Sequence, residues 1–440
     1  MADHAKSADP AVQAQLDRLW ALSPGADVLG LGRITQLLAR VGDPHLRLPP
    51  VFHVAGTNGK GSTCAFLRAS IEAAGLTAHV YSSPHLVRFN ERIRLAGKLI
   101  DDATLAVLLA EVLDAGGDIG ASFFEVTTAA AFLAFARTPA DACIVEVGLG
   151  GRLDATNIIP NPAVTGIASL GIDHEGFLLA PEAGTPDDPI VRIGFEKAGI
   201  AKSGVPLVTQ TYPTPVAEEI AAVAERTGAT LIARDHAWRA AIEQERLRYD
   251  DRAGALDLPL PALAGSHQAD NAALAVAMLR HQTAISVSTN AMAEGIRTAH
   301  WPARLQRLSP GPIVLSDAPV WLDGGHNPDA GHRIAQHFAG SGAPLHLVIG
   351  MLANKDPEAI IGPLAMALGP RLRSIRAVPV PSHGCQSADA FAAVAARHGI
   401  AFAAFPDVSA ALRSVKETVL IAGSLYLAGE VLRLNDEIPD

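Results

Sequence analysis

The stretch Val51-Phe-His-Val-Ala-Gly56-Thr57-Asn58-Gly59-Lys60-Gly61-Ser62-Thr63 decides how the rest of the chain is read. Phe52, Val54 and Ala55 form the end of a buried strand, and Cys64 to Ala74 carries an apolar helical period, so the glycine-rich segment between them is a strand-to-helix turn. Such a turn suits phosphate. Its glycines let successive backbone N–H groups converge on an anion, the helix N-terminus adds partial positive charge, and Lys60 adds a full one. The spacing departs from G-x-x-x-x-G-K-[ST], because only Thr57 and Asn58 separate Gly56 from Gly59 and Gly61 precedes the hydroxyl of Ser62. A plain glycine turn with a solvated lysine leaves unexplained why strand, turn, lysine and hydroxyl arrive in order.

Composition bounds what surrounds this turn. A chain of 440 residues, 49% hydrophobic and 18% charged, has ample material for two or three packed domains. The formal charge of −10 argues against a general nucleic-acid surface, so an anionic substrate needs a local basic patch. Cys64, Cys143 and Cys385 lie far apart, two of them in apolar runs, which points to buried thiols in a reducing compartment. MADHAKSADP carries no apolar leader core, and no apolar run reaches about 18 residues. The expectation is a cytoplasmic monomer with no nucleic-acid or membrane partner.

Along the chain, helices are expected at 10–24 and 28–42, and strands and helices then alternate. Strands at 78–83, 142–147 and 163–169 and helices at 102–113 and 122–136 give the βα rhythm of a parallel sheet covered on both faces. Residues 175–195 read as an exposed loop, 238–258 as a polar β meander, and Trp301-Pro302 as a linker near 299–303. Strands at 313–315, 320–323, 345–350, 375–378 and 418–422 follow. The expected architecture is α/β: a P-loop-type, mostly parallel sheet domain over 1–300, then a smaller Rossmann-like α/β domain over 301–440.

Several side chains then stand out. Glu146 ends an apolar strand where P-loop enzymes keep a carboxylate for Mg²⁺, and the GLGGRLDATN that follows lets backbone approach a ligand. His174 is individually weak, as a strand-end histidine is usually just hydrogen-bonded, and by spacing alone Lys197 is a surface lysine, while the Asp323 turn suits a ribose hydroxyl or plain loop chemistry equally. Arg88, Arg92 and Arg94 form the one dense basic group, and on a strand Arg92 and Arg94 share a face.

In combination the motifs are specific. GTNGKGS (56–62), SPHLVRFNERI (83–93), EVGLGGRLDATN (146–157), DHEGFL (173–178), EKAGI (196–200), WPARLQ (301–306), DGGHNPDA (323–330) and GSLYLAGEV (423–431) resemble the folylpolyglutamate synthase/dihydrofolate synthase family of the Mur ligase superfamily. The resemblance implies an ATP-dependent ligase that adds L-glutamate to dihydropteroate, to reduced folates or to both. It implies that Thr57, Asn58, Gly59, Lys60, Gly61 and Ser62 hold the ATP phosphates, with Asn271, Arg304, Asp323 and His326 completing the nucleotide site. Ser83, Glu146, His174 and a CO2-derived carbamate on Lys197 are implied to hold two Mg²⁺ ions, with K⁺ allowed as a further cation. Arg88, Phe124 and Asp154 fall in segments resembling the folate and pterin pocket, and His326 and Ser424 at positions linked to glutamate. By this resemblance Lys60, Glu146, His174 and Lys197 carry the catalysis. A departure is the 175–195 loop, which looks longer than is usual there.

The chemistry implied is phosphorylation of a substrate carboxylate followed by attack of an amine, with Lys60 and Arg304, in different domains, brought together on ATP. A nucleotide-dependent switch explains residues 51–63 and Glu146 but leaves the second βα series without a purpose; a peptidoglycan-type Mur ligase is the alternative within enzymes. The reading predicts that Lys60→Ala folds normally yet loses more than about tenfold in kcat, equivalent to about 1.4 kcal/mol. A variant retaining more than that in an ADP-release assay contradicts it.

Overall fold

The computed structural model describes residues 6–22, 29–315, 317–413 and 415–440, which divide into two compact units, one of 1–262 with 268–299 and the other of 263–267 with 300–440. In the first unit, helices α1 (Pro10–Leu22) and α2 (Gly32–Arg40) precede β1 (Val51–Ala55), and α3 (Lys60–Ala73) follows the glycine turn. Then come β2 (Ala78–Tyr81), a short hairpin of β3 (Ile93–Leu95) and β4 (Lys98–Leu99), α4 (Asp102–Gly116), α5 (Phe123–Arg137), β5 (Ala142–Glu146) and β6 (Val164–Ile167). The unit continues with α6 (Glu175–Leu178), α7 (Pro189–Ala198), β7 (Pro206–Thr209), α8 (Thr214–Thr227), β8 (Thr230–Ala233), a meander of β9 (Trp238–Glu243), β10 (Arg246–Asp251) and β11 (Gly254–Pro259), α9 (His267–Arg280) and α10 (Thr289–Thr298).

The main sheet runs β4-β3-β2-β5-β1-β6-β7-β8, parallel from β2 to β8 with an antiparallel edge of β3 and β4. All five residues of β1 and all five of β5 are buried, as a strand covered on both faces requires. On one side, Leu16, Ile34, Leu109 and Phe132 from α1, α2, α4 and α5 pack on Tyr81, Cys143 and Val145. β1 lies between β5 and β6, so the loops leaving all three strands are neighbours at their carboxyl ends, where open α/β sheets bind ligands.

The second unit carries β12 (Gln306–Arg307), β13 (Val320–Leu322), α11 (Pro328–Ala339), β14 (Leu345–Ile349), α12 (Glu358–Leu368), β15 (Leu372–Ala377), α13 (Ala388–Arg397), β16 (Ala401–Ala404), α14 (Val408–Leu412), β17 (Thr418–Ala422) and α15 (Leu425–Leu434). Its sheet order is β12-β13-β17-β14-β15-β16, parallel apart from β12. No described helix is long and apolar enough to cross a membrane.

Four expectations are corrected. No strand forms at 313–315: the N–H groups of Ile313 and Val314 reach Asn435 Oδ1 at 3.4 and 3.3 Å, so a side chain takes the place of a ladder. Within 175–195 lie α6 and the first turns of α7, because the Asp188 carboxylate accepts from Ile190 and Val191 and Pro189 starts the helix. Arg92 and Arg94 share no strand face, since Arg92 lies in a 3-10 turn, buried over Phe89 and Phe123, with Nε on His85 Nδ1 at 3.0 Å. The second helix starts at Gly32 rather than 28; residues 23, 24 and 28 of the two N-terminal helix expectations lie outside the described residues.

Helix α10 crosses α3 with almost no room. A Cβ at Gly295 would collide with the backbone N and Cα of Ser70 on the phosphate helix. Gly295→Ala should therefore cost about 1–3 kcal/mol through forced separation of the two helices, read as a lower urea midpoint at unchanged slope.

Candidate active site

Gly56 (φ +150°) and Gly59 (φ +84°) turn the backbone between β1 and α3 through conformations that L side chains rarely adopt. Any Cβ at Gly59 would also collide with Oδ1 of Asn271, which is buried on α9 and held by Nδ2 to Gln268 Oε1 at 3.0 Å. The structure thus brings Asn271 onto the phosphate loop. The N–H groups of Thr57 and Asn58 donate to Ser169 O at 2.8 and 3.3 Å, and Thr57 Oγ1 donates to Gly171 O at 2.8 Å. Thr57 and Asn58 therefore anchor the loop to the segment after β6. The N–H groups of Lys60, Gly61 and Ser62, in the first turn of α3, have no acceptor within the helix and suit an anion. Lys60 Nζ lies over the loop, donating to Gly56 O at 2.9 Å and Thr57 O at 3.2 Å.

Glu146, the last residue of β5, stands beside Val54 of β1, is 5% exposed, and accepts from the N–H of Ser83 at 3.4 Å. Burial first, then the Glu146 charge, pushes the buried Cys64 thiol up, so this cysteine stays protonated. His174, half-buried with φ +56°, donates its N–H to Asp173 Oδ1 at 2.8 Å just before α6.

Lys197 is strongly perturbed. It is 4% exposed, and burial, then the nearby Lys60 ammonium, lowers its pKa from 10.5 to about 7 against the opposing pull of Asp173, Asp154 and Glu196. Close to neutrality a large part of it is free amine, the form that reacts with CO2. A Cβ on Gly151 would meet Glu196 O at 2.8 Å and the Lys197 backbone at 3.1 Å, so the loop after β5 lies directly on the lysine.

That loop is held by Asp154. Its carboxylate accepts from Leu149 N at 2.8 Å, Thr156 N at 3.0 Å and Thr156 Oγ1, and Thr156 in turn meets His53 Nε2 of β1 at 2.9 Å. Asp154 is 2% exposed, so it shapes the loop from within. Phe124 is placed differently: its half-buried ring covers Gly148, where any Cβ would strike it, and lies 5.8 Å from the Tyr81 ring. Arg88 is exposed at the start of the 3-10 turn that begins at Phe89.

In the second unit, Arg304 sits between two left-handed residues, Ala303 (φ +55°) and Leu305 (φ +45°). Gly324 N on Ala303 O at 2.9 Å and Leu305 N on Asp323 Oδ2 at 2.8 Å hold that geometry, which costs of order 1–3 kcal/mol per residue. Asp323 also accepts from Gly325 N at 2.7 Å, and His326 Nδ1 lies 3.1 Å from Gly324 O. Gly423 N donates to Gly325 O at 3.0 Å, so Ser424, the N-cap of α15, adjoins the Asp323 turn.

Sequence reasoning passed over His53, Thr156, Arg152 and Asp173. Nothing in their spacing marks these residues in the sequence. The open cavity of about 310 Å³ between Arg47–Pro50 and Phe135–Ala140 lies at the amino ends of β1 and β5, away from this chemistry.

The donor set fits a hard cation: Glu146 and Ser83 offer oxygen beside the phosphate loop. Among the described residues no three His, Cys, Asp or Glu side chains form a cluster ready for a metal. A hard cation at Glu146 and Ser83 has room to take further oxygens from a substrate's phosphates.

A glycine turn at the carboxyl end of a parallel sheet, a strand-end carboxylate beside it and a buried low-pKa lysine under the next loop suit a nucleotide-dependent enzyme. No protein-family model matches the chain. It is 39% identical over 341 residues to the dihydrofolate synthase/folylpolyglutamate synthase of Escherichia coli, covering 77% of this chain and 74% of that one. It superposes on the E. coli FolC complex with DHPP and ADP with a TM-score of 0.84, at 34% identity and 98% coverage of both chains. A bifunctional folylpolyglutamate synthase/dihydrofolate synthase with Mn, AMPPNP and L-glutamate bound gives a TM-score of 0.81 at 32% identity, covering 98% of this chain and 99% of that chain. The chain belongs to the dihydrofolate synthase/folylpolyglutamate synthase family of ATP-dependent ligases.

The Lys197 shift has a signed consequence. Between about pH 7 and 10.5 the unfolded chain holds this proton more than the folded chain does, so stability rises with pH across that window. Urea unfolding in CO2-free buffer should show the rise in wild type and a flatter profile in Lys197→Met.

Proposed function

We propose that the chain joins L-glutamate both to dihydropteroate and to reduced folates, with the reaction centred where β1, β2 and β5 end. The observation that carries the proposal is the convergence there of the Gly59–Lys60 loop, Glu146 with Ser83, and Lys197, beside an aromatic ring on Gly148. The first unit then carries the phosphate loop and the folate pocket, and the second takes the glutamate and contributes Arg304 and Asp323 to the nucleotide.

ATP's terminal phosphoryl group passes to a carboxylate oxygen of the acceptor, giving an acyl phosphate and ADP. The α-amine of glutamate attacks the acyl carbon, phosphate departs with the C–O bond pair, and the amine loses a proton. No protein nucleophile is needed; positioning and charge neutralisation carry the rate. The N–H groups at the start of α3 orient the phosphate chain, and Lys60 moves from the loop carbonyls to the transferring phosphoryl group. Asn271 contacts adenine, Asp323 the ribose and Arg304 a phosphate. His326 and Ser424 take the glutamate.

Ser83, Glu146, His174 and Lys197 as its carbamate would hold two Mg²⁺, which would offset phosphate charge. The carbamate forms when the neutral Lys197 amine adds to CO2 and releases a proton, turning a buried cation into an oxygen-bearing anion. K⁺ is kept as a further cation on resemblance alone. The free, buried Cys64 and Cys143 favour a reducing, cytoplasmic location, and we infer a monomer.

A flat pterin needs an apolar wall, which Phe124 offers beside Gly148 and Tyr81, with Arg88 and Asp154 in the flanking segments. Phe124→Ala should raise KM for dihydropteroate about tenfold or more while leaving KM for ATP within about twofold. Equal effects on both remove Phe124 from the pocket. If wild type releases no ADP with dihydropteroate plus L-glutamate but does so with reduced folate, polyglutamylation alone survives.

A further inference from the structure

We propose that Glu182 is a positioning residue for the reaction, tying the segment that runs from His174 to Lys197 onto the loop that follows β5. This rests on the reading of His174 and Lys197 as site residues. The segment is mostly exposed between Leu179 and Pro189 and has little core of its own. Two contacts tie its exposed part to the loop after β5. Near its start, the buried Leu178 packs against Gly150, where a Cβ would lie 2.9 Å from Leu178 Cδ2. Further on, Glu182 accepts from Arg152 Nη1 at 3.1 Å, Arg152 Nη2 at 2.5 Å and Arg192 Nη2 at 3.1 Å.

Both guanidiniums continue to Glu196, the residue before Lys197. Arg152 donates to it through Nε at 3.1 Å and Nη2 at 3.0 Å, and Arg192 through Nε at 2.9 Å. The Arg152 N–H meets Glu196 O at 2.7 Å, and the Arg152 side chain fills the space a Cβ on Gly199 would need. Both guanidiniums also lie over the Phe195 ring, at 5.3 and 5.8 Å. The last turn of α7, which carries Lys197, is therefore set by how Arg152 and Arg192 lie.

Two carboxylates balance two guanidiniums here. Isolated surface pairs contribute little to stability, but the Arg192 and Glu196 side chains beneath Glu182 are only 6% and 4% exposed and stay paired with each other, so Glu182 sets the aim of buried groups rather than the stability of the fold. Without Glu182, both arginines compete for Glu196, and the turn beneath Lys197 shifts. At the other end the same loss frees the chain leading back through α6 to His174.

The test uses the full-length enzyme with Glu182→Ala, Glu182→Gln and Glu182→Asp. For the first two, kcat should fall about tenfold with KM for ATP within about twofold, in the range expected when a partner of a ligating group is removed. The melting temperature should hold, because the Glu182 side chain is 44% exposed. Amide exchange should quicken across 175–197 and stay unchanged in α3, and Glu182→Asp should recover part of kcat. Unchanged kcat, or unchanged exchange across 175–197, overturns the proposal. The mass of Lys197 in wild type under CO2 reports separately: an unmodified lysine dismisses the carbamate, whereas only kcat and exchange decide the role of Glu182.

Discussion

The backbone leaving β1 must become left-handed at Gly59 and still leave the amino end of α3 open to an anion. Both demands exclude a side chain at that position, since Asn271 occupies the volume a Cβ would take. The loop can hold this shape without a ligand because Thr57 and Asn58 are anchored on Ser169 and Gly171, and Lys60 satisfies itself on Gly56 and Thr57 carbonyls. Placing β1 between β5 and β6 supplies those anchors and sets Glu146 alongside. The central position of one strand thus determines which loops can reach a phosphate chain.

The loop after β5 is the second frame. Three glycines of this loop, Gly148, Gly150 and Gly151, lie against Phe124, Leu178 and the Lys197 backbone in turn, and a side chain at any of them would forbid the approach. Such a loop needs polar fixing. Asp154 supplies it through three accepted hydrogen bonds, and His53 anchors Thr156 from inside β1. Burial, and then the charge of Lys202, lowers the His53 pKa to about 3, so it remains neutral at any physiological pH and brings no charge into the sheet.

In the second unit the strained residues around Arg304 play a comparable part. Two non-glycine residues with positive φ are held by Gly324 and Asp323, so the Asp323 carboxylate already serves the backbone on both oxygens. Those two bonds fix the turn before anything binds.

The phosphate turn, the parallel α/β class, the meander at 238–258 and the family were legible in the sequence, because each depends on local pattern: apolar runs, helical period, glycine spacing and long contiguous motifs. The start of α7 was equally local, written in Asp188-Pro189, and was hidden by the acidic and proline-rich stretch before it. Other features were not local. The backbone at 313–315 pairs with Asn435, more than a hundred residues away, and the buried place of Arg92 depends on two phenylalanines and His85 that no spacing connects. The low pKa of Lys197 is likewise invisible in EKAGI. It arises from burial under the Gly151 loop and from the Lys60 ammonium, and desolvation and charge proximity exist only once distant segments have packed together.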